Sequence, residues 1–259
     1  MMNNTVIVVT GASSGIGAAL AVQVARRGAS VALIARRPEP LAEIAAQCGS
    51  ASMVIAADMT DRLAVRDTVA RTIERFGRID VWVNNVGQGI TRAPSQLTDD
   101  DIDEMMRVNV KSALYGMQEV LPHFRSRDAG HIINVSSMLG RLPFAVIRSS
   151  YGASKHFLNS LTATFREEVQ QTHPGIQVSL VSPGVVRTDF GLNALHGGPD
   201  SRLNPDSQSA EEVAGVIAQV IESRSPDVYT REGSRERVAH YMARVGADAD
   251  ITPSRLTPV

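Results

Sequence analysis

Lysine is almost missing from this chain: of its 26 basic residues only Lys111 and Lys155 are lysines, and arginine supplies the rest. A lysine kept in such a background reads as a chemical requirement rather than a generic positive charge. Cysteine is scarcer still. Cys48 is the single thiol, which excludes an intrachain disulfide and suits a reducing compartment. Placed between a helical stretch and a loop, it reads as a half-buried thiol and not as a nucleophile. Net charge is also lacking, since 26 basic against 27 acidic side chains leave −1. The chain therefore offers no electrostatic footprint to nucleic acid or to an anionic membrane surface. No apolar run approaches the ~18 residues that would cross a bilayer. Only Met1 to Asn4 precede the first strand-like run, which leaves no room for a secretory leader, and the expected location is the cytoplasm. The six histidines, His123, His131, His156, His173, His196 and His240, form no ligand-like group with carboxylates, so no metal is expected.

What is present is an ordinary soluble composition, 43% apolar and 20% charged, in a chain of 259 residues that can bury a large core. Short β-branched runs alternate with longer helical patterns. Residues 5–9, 30–35, 53–57, 81–84, 131–135, 177–181 and 227–230 read as strands. Helices are expected over 16–27, 39–47, 62–76, 102–125, 151–172 and 210–222. The first is the clearest, with Ile16, Leu20 and Val24 four residues apart and Gly28 as its stop. Strands that alternate with helices pair in parallel through crossovers. The expectation is an α/β fold: a doubly wound Rossmann-type parallel sheet of about seven strands with helices on both faces. No repeat or linker divides the chain, so residues 1–259 read as a single domain. Residues 191–208 are rich in Gly, Asn, Pro and Ser and too long for an ordinary connection; the stretch 189–208 is expected to be a substrate loop or lid. Residues 246–259 read as a flexible tail.

Two motifs carry chemistry. The first strand runs straight into TGASSGIG, residues 10–17. Gly11 allows a tight turn, Gly15 lets backbone approach a phosphate, and Gly17 lets the helix pack on the strand. The helix N-terminus then turns its amides and positive dipole end toward a pyrophosphate. The second motif is Tyr151-Gly152-Ala153-Ser154-Lys155. Residues four apart share a helix face, so the ammonium would lie beside the phenol. A neighbouring cation lowers a phenol from its usual value of about 10 and makes it a usable general acid or base.

With these motifs the chain resembles the short-chain dehydrogenase/reductase superfamily, in its shorter single-domain branch, from Thr5 to about Thr230. The resemblance rests further on Asn84-Asn85-Val86-Gly87 after the fourth strand, Asp58 after the third, and Pro183-Gly184 with Thr188 after the sixth. It implies a catalytic set of Asn109, Ser137, Tyr151 and Lys155. It also implies cofactor contacts from Gly11, Ser13, Ser14, Gly15, Ile16, Gly17, Arg36, Asp58, Met59, Asn85, Gly87, Tyr151, Lys155, Pro183, Gly184, Val186 and Thr188. Two departures stand out. Val86 replaces the usual alanine, and Ser137 lies one residue further from Tyr151 than is common. Ser136 is the weaker candidate, since it faces the other way if the strand continues.

At the end of the second strand, where relatives using NAD carry an acidic residue, this chain has Ala35 followed by Arg36 and Arg37. Neutral then basic suits the extra phosphate of NADP(H), for which a guanidinium is a bidentate partner; NAD(H) remains possible. The resemblance implies a carbonyl and secondary-alcohol interconversion. Tyr151 would move the proton, Ser137 would hydrogen-bond the substrate oxygen, Lys155 would tune the tyrosine and hold the ribose, and Asn109 would hold a relay water. Met138, Leu139, Phe144, Val185, Phe190, Leu192 and Leu195 are the expected pocket residues, pointing to a hydrophobic small-molecule substrate. Two other functions stay open: reduction of a carrier-bound 3-oxoacyl thioester, and a non-catalytic NADP-binding regulator. Apolar residues on the two long helices, Met105, Leu114, Met117, Phe157, Leu161 and Phe165, together with the resemblance, point to a homodimer or homotetramer.

Overall fold

The computed structural model describes residues 1–245. Seven parallel strands form one sheet: β1 (Val6–Thr10), β2 (Ser30–Ala35), β3 (Ser52–Ala56), β4 (Val81–Asn84), β5 (Gly130–Val135), β6 (Ile176–Ser182) and β7 (Asp227–Tyr229). Their spatial order is β3-β2-β1-β4-β5-β6-β7. The chain winds outward from β1 in one direction, then returns to β4 and winds outward in the other. The crevice between the C-terminal ends of β1 and β4 is thus the point where the winding reverses, where open α/β sheets bind ligands.

Both faces of the sheet are covered because both sets of alternating side chains are apolar. From β1, Ile7 and Val9 pack with Leu20 and Val24 of α1 (Gly15–Arg26), Leu41 of α2 (Pro38–Cys48), and Val213 and Ile217 of α7 (Ala210–Ser223). Val8, on the opposite side, packs with Trp82, Val65 and Val69 of α3 (Arg62–Phe76), Val120 and Phe124 of α5 (Ser112–Arg125), and Phe165 and Val169 of α6 (Ser149–Thr172). Gly28 takes φ +95° after α1, a left-handed conformation that suits glycine.

Two helical features differ from expectation. The helix expected over 102–125 starts earlier, as α4 (Asp99–Met106), because Thr98 and Asp101 form a reciprocal capping box and Asp99 to Asp101 load its first turn with negative charge. It is then interrupted by a π-helical turn, Arg107–Lys111, before α5 begins. Such one-turn bulges are frequent at functional sites. The second is α8 (Ser234–Arg244), which no apolar stripe announced: Ser234 is its only buried residue. Of the apolar residues expected to meet a second copy, Met105, Met117 and Phe165 are buried within the chain itself, while Phe157 is 50% exposed. No helix among the described residues is long and apolar enough to cross a membrane. The expected tail, 246–259, lies outside the described residues.

Candidate active site

A cavity of about 1450 Å³ opens at the C-terminal ends of the strands. Its floor is the turn between β1 and α1, where Gly11, Ser13, Ser14, Gly15 and Ile16 line it. Gly17 lies behind this surface: a Cβ there would stand 2.2 Å from the Gly11 carbonyl oxygen, so only glycine lets the helix seat against the turn. Ser14 precedes the helix in extended conformation and makes no side-chain cap, leaving the first-turn amides without that acceptor. A glycine-cradled helix N-terminus of this kind fits a phosphate group. Asn85 locks the floor to β4, with its backbone N–H donating to Thr10 Oγ1 at 3.0 Å and its Nδ2 to the Thr10 carbonyl at 3.1 Å.

The rest of the expected cofactor surface lines the same cavity: Arg36 at the end of β2, Asp58 and Met59 after β3, Asn85 and Gly87 after β4, and Pro183, Gly184, Val186 and Thr188 after β6. Arg36 and Arg37 are exposed. Burial alone would raise the Asp58 carboxyl, but hydrogen bonds from Thr60 and the charges of Arg107 and Arg36 together hold it below its ordinary value. Arg107, in the π-helical turn, was not singled out from the sequence. It reaches Thr60 Oγ1 and pairs with Glu104 at 2.7 Å.

Ser137, Tyr151 and Lys155 line the deep end of the cavity. Ser137 leaves β5 in extended conformation, and its Oγ accepts from the Leu139 N–H at 3.1 Å. Ser136 turns instead toward α6 and donates to Asn159 Oδ1. Tyr151 is 7% exposed, its ring edge-on to Phe190 at 5.4 Å between centroids. Lys155 is 3% exposed. Its Nζ donates to the Val135 carbonyl at 3.0 Å and sits 5.9 Å from the Tyr151 ring centroid. Asn109 is fully buried in the π-helical turn and does not line the cavity. Its Oδ1 accepts from the Gln88 N–H at 2.9 Å and its Nδ2 donates to the Gln88 carbonyl at 3.0 Å, so the side chain braces the segment after β4.

The electrostatics correct one expectation. Tyr151 is not lowered: burial pushes its phenol up to about 12, with the Ser137 hydroxyl and the positive charge of Arg148 acting in the opposite direction. Lys155 is itself pushed down to about 8 by burial. Both side chains are buried, so desolvation of the charged form outweighs their proximity. The cation acting on the phenol is Arg148, three residues ahead of it, which the i+4 spacing does not signal.

Among the expected pocket residues, Met138, Leu139, Phe144, Val185 and Phe190 line the cavity and Leu192 and Leu195 do not. Leu195 packs instead against the cluster of Ile90, Met105 and Tyr151. The stretch after β6 is clasped at its base, where Arg187 N–H donates to the Gln208 carbonyl at 2.8 Å and Gln208 N–H to the Val185 carbonyl at 2.9 Å. Pro199 to Ser201 and Leu203 to Asp206 from this stretch line the cavity, as do Arg231, Ser234 and Arg237 from the region of α8, which the sequence reading missed. No group of three or more His, Cys, Asp or Glu among the described residues is placed to hold a metal ion.

Comparison with known proteins agrees with this architecture. The family model for short chain dehydrogenase matches residues 5–196. An uncharacterised oxidoreductase of Staphylococcus epidermidis is 38% identical over 195 residues, which make up 72% of this chain and 82% of the relative. Among solved structures, a short-chain dehydrogenase from Streptomyces avermitilis superposes with a TM-score of 0.82 at 28% identity, covering 94% of each chain. One from Burkholderia cenocepacia, in complex with NADP, superposes with a TM-score of 0.78 at 29% identity, covering 90% of this chain and 99% of that one.

Proposed function

The chain belongs to the short-chain dehydrogenase family of oxidoreductases, and from that premise we propose that it interconverts a ketone and a secondary alcohol with NADP(H). The observation that carries this reading is Tyr151, buried beside Ser137 with the Lys155 ammonium 5.9 Å from its ring, at the end of a cavity that begins in a glycine-cradled helix N-terminus. When bound, the nicotinamide supplies or accepts the hydride. In reduction Tyr151 gives its proton to the carbonyl oxygen, and in oxidation it takes the proton back from the hydroxyl. The Ser137 hydroxyl donates a hydrogen bond to the same oxygen and stabilises the charge that develops there. Lys155 holds a positive charge beneath the ring. Asn109 keeps the Gln88 segment in register with the cavity floor.

The preference for NADP(H) over NAD(H) rests on Ala35, which carries no carboxylate to repel a ribose phosphate, and on the exposed guanidinium groups of Arg36 and Arg37 at the cavity edge. Met138, Leu139, Phe144, Val185 and Phe190 give the substrate region apolar walls suited to a hydrocarbon skeleton. Residues 189–208 are the proposed substrate lid. The proposal includes self-association through the faces of α5 and α6, where Phe157 is half exposed; a stable monomer by light scattering at micromolar concentration would remove that part.

The test is a panel of ketones read by loss of NADPH absorbance, with wild type and Tyr151→Phe in parallel. The variant is expected to lose turnover by roughly a thousandfold while still binding NADPH. Wild-type turnover in Tyr151→Phe would overturn the assignment.

A further inference from the structure

Arg148 is the residue immediately before α6 and stands three positions ahead of Tyr151. Its guanidinium enters a slot that exists because two neighbours lack side chains. A Cβ on Gly89 would lie 2.9 Å from Nη1, and a Cβ on Gly198 would lie 2.9 Å from Nη2. Inside the slot Nη1 donates to the Ile90 carbonyl at 3.0 Å. Arg148 also lines the cavity, as do Tyr151, Phe190 and Asn193.

A guanidinium drawn partly out of water needs acceptors. The other partly buried arginines find them. Arg92 pairs with Asp101 at 2.8 Å. Arg166 donates to the carbonyls of Val178 and Pro226, and Arg224 to those of Gly130 and Gly175. Among the described residues the Arg148 guanidinium has the Ile90 carbonyl alone, and no carboxylate of theirs lies within ion-pair distance of it. The titratable group that acts on its charge is Tyr151. Arg148 lines the cavity with Tyr151, and a planar fork of donors with one partner among the described residues suits a ligand acceptor. An entirely hydrophobic ketone would cover those donors without pairing them, which is costly.

We infer that Arg148 is a carboxylate subsite, and that the substrate is an oxo acid whose carboxylate pairs with this guanidinium while its carbonyl meets Tyr151 and Ser137. This rests on the oxidoreductase reading above and narrows its substrate class. The balance is simple: the carbonyl carbon gains a hydride from the reduced cofactor, its oxygen gains a proton from Tyr151, and the carboxylate is unchanged, giving a hydroxy acid. The apolar walls take the carbon skeleton, and the charge sits at one end.

The test compares short oxo acids, with the carbonyl at increasing distance from the carboxylate, against their methyl esters. Two readouts are used: kcat/KM with NADPH, and calorimetric binding of the acid or ester to the enzyme saturated with NADP+. Wild type is expected to favour at least one acid over its ester. In Arg148→Met the acid-to-ester ratio should fall by roughly a hundredfold, with loss of the acid's binding heat. Arg148→Lys should recover part of it, since it restores charge without the fork; if Arg148→Met does not fold, the ratio in Arg148→Lys should still fall below that of wild type. Equal use of acid and ester by wild type, or an unchanged ratio in both variants, overturns the subsite and leaves the ketone-reductase reading standing. Failure of wild type to reduce any carbonyl in the panel, ester or acid, removes that reading and the subsite with it.

Discussion

His196 Nε2 donates to Asp101 Oδ1 at 2.7 Å, tying the segment after β6 to the first turn of α4. Asp101 is 5% exposed and also accepts from Arg92 Nη1 at 2.8 Å and from the Thr98 N–H at 3.1 Å. These partners, His196 foremost, hold its carboxyl well below the usual carboxylate range. Beside it, Leu195 exchanges backbone hydrogen bonds with Gly89 and Thr91 at 2.9 Å each. The segment that lays Phe190 against Tyr151 is therefore anchored by one carboxylate and one short backbone pairing.

Asp101→Asn and His196→Ala should both loosen this anchor. A hydrogen bond to a charged group is worth a few kcal/mol at most, so KM should rise roughly tenfold with a smaller change in kcat. Limited proteolysis within residues 189–208 should quicken in the same variants. Unchanged KM and unchanged cleavage would show that the anchor does not govern the lid.

Arg36→Ala should erase most of the preference for NADPH over NADH. Arg36 is exposed at the cavity edge, next to the neutral Ala35. Removing an exposed guanidinium from the ribose phosphate should weaken NADPH binding by about tenfold and leave NADH nearly unaffected. Fluorescence titration of the two cofactors checks this, and equal affinities in the wild type would rule the preference out.

Most of the strand plan was legible because buried parallel strands are short β-branched runs on both faces, as in β1 and β2. The glycine turn and the pairing of Tyr151 with Lys155 were legible because each is a fixed spacing. Three things were not. The π-helical turn at Arg107–Lys111 leaves the apolar pattern of the long helix intact, so nothing in the spacing signals it. The polar α8 offered no stripe to read. Arg148 carries no local signal: two glycines distant in sequence from each other make its slot, and no carboxylate among the described residues stands beside it. The direction of the Tyr151 shift is hidden from the sequence for a related reason: depth of burial is a property of the assembled fold.

His131 should make the fold acid-sensitive. It is 1% exposed on β5, with Nε2 2.8 Å from Ser179 Oγ. Burial, aided by the charge of Arg224, pushes its imidazole down from 6.5 to about 3. Between those values the unfolded chain binds a proton that the folded chain does not, so stability is full above about pH 6.5 and falls as the pH drops toward 3. From about pH 7 to about pH 5 the loss should be on the order of 2 kcal/mol. Urea midpoints at the two pH values give the difference. His131→Gln, which has no proton to gain, should show a smaller one, and an equal loss in both proteins would acquit His131.

Lys155→Arg keeps the charge in a chain that uses arginine almost everywhere. If Lys155 were only a cation on a helix face, the change would be silent. Its surroundings argue otherwise: Nζ is fixed to the Val135 carbonyl, and a Cβ on Gly87 would lie 3.6 Å from it and 3.2 Å from Asn109 Oδ1. A guanidinium is wider, planar and forked, and in this space it would displace Tyr151 or the Gly87 segment. A shift of about 1 Å can cost on the order of a hundredfold in rate, so turnover should drop by at least that much. Arginine is as good a helix former as lysine, and circular dichroism should report an intact fold. The pH profile separates a tuned ammonium from a structural charge. Because burial brings Lys155 down to about 8, the folded wild type loses this charge as pH rises through that value, and its rate should fall there. Arginine does not deprotonate in this range, so the residual activity of the variant should lack that limb. A folded Lys155→Arg enzyme with wild-type turnover would end the catalytic role assigned to this lysine.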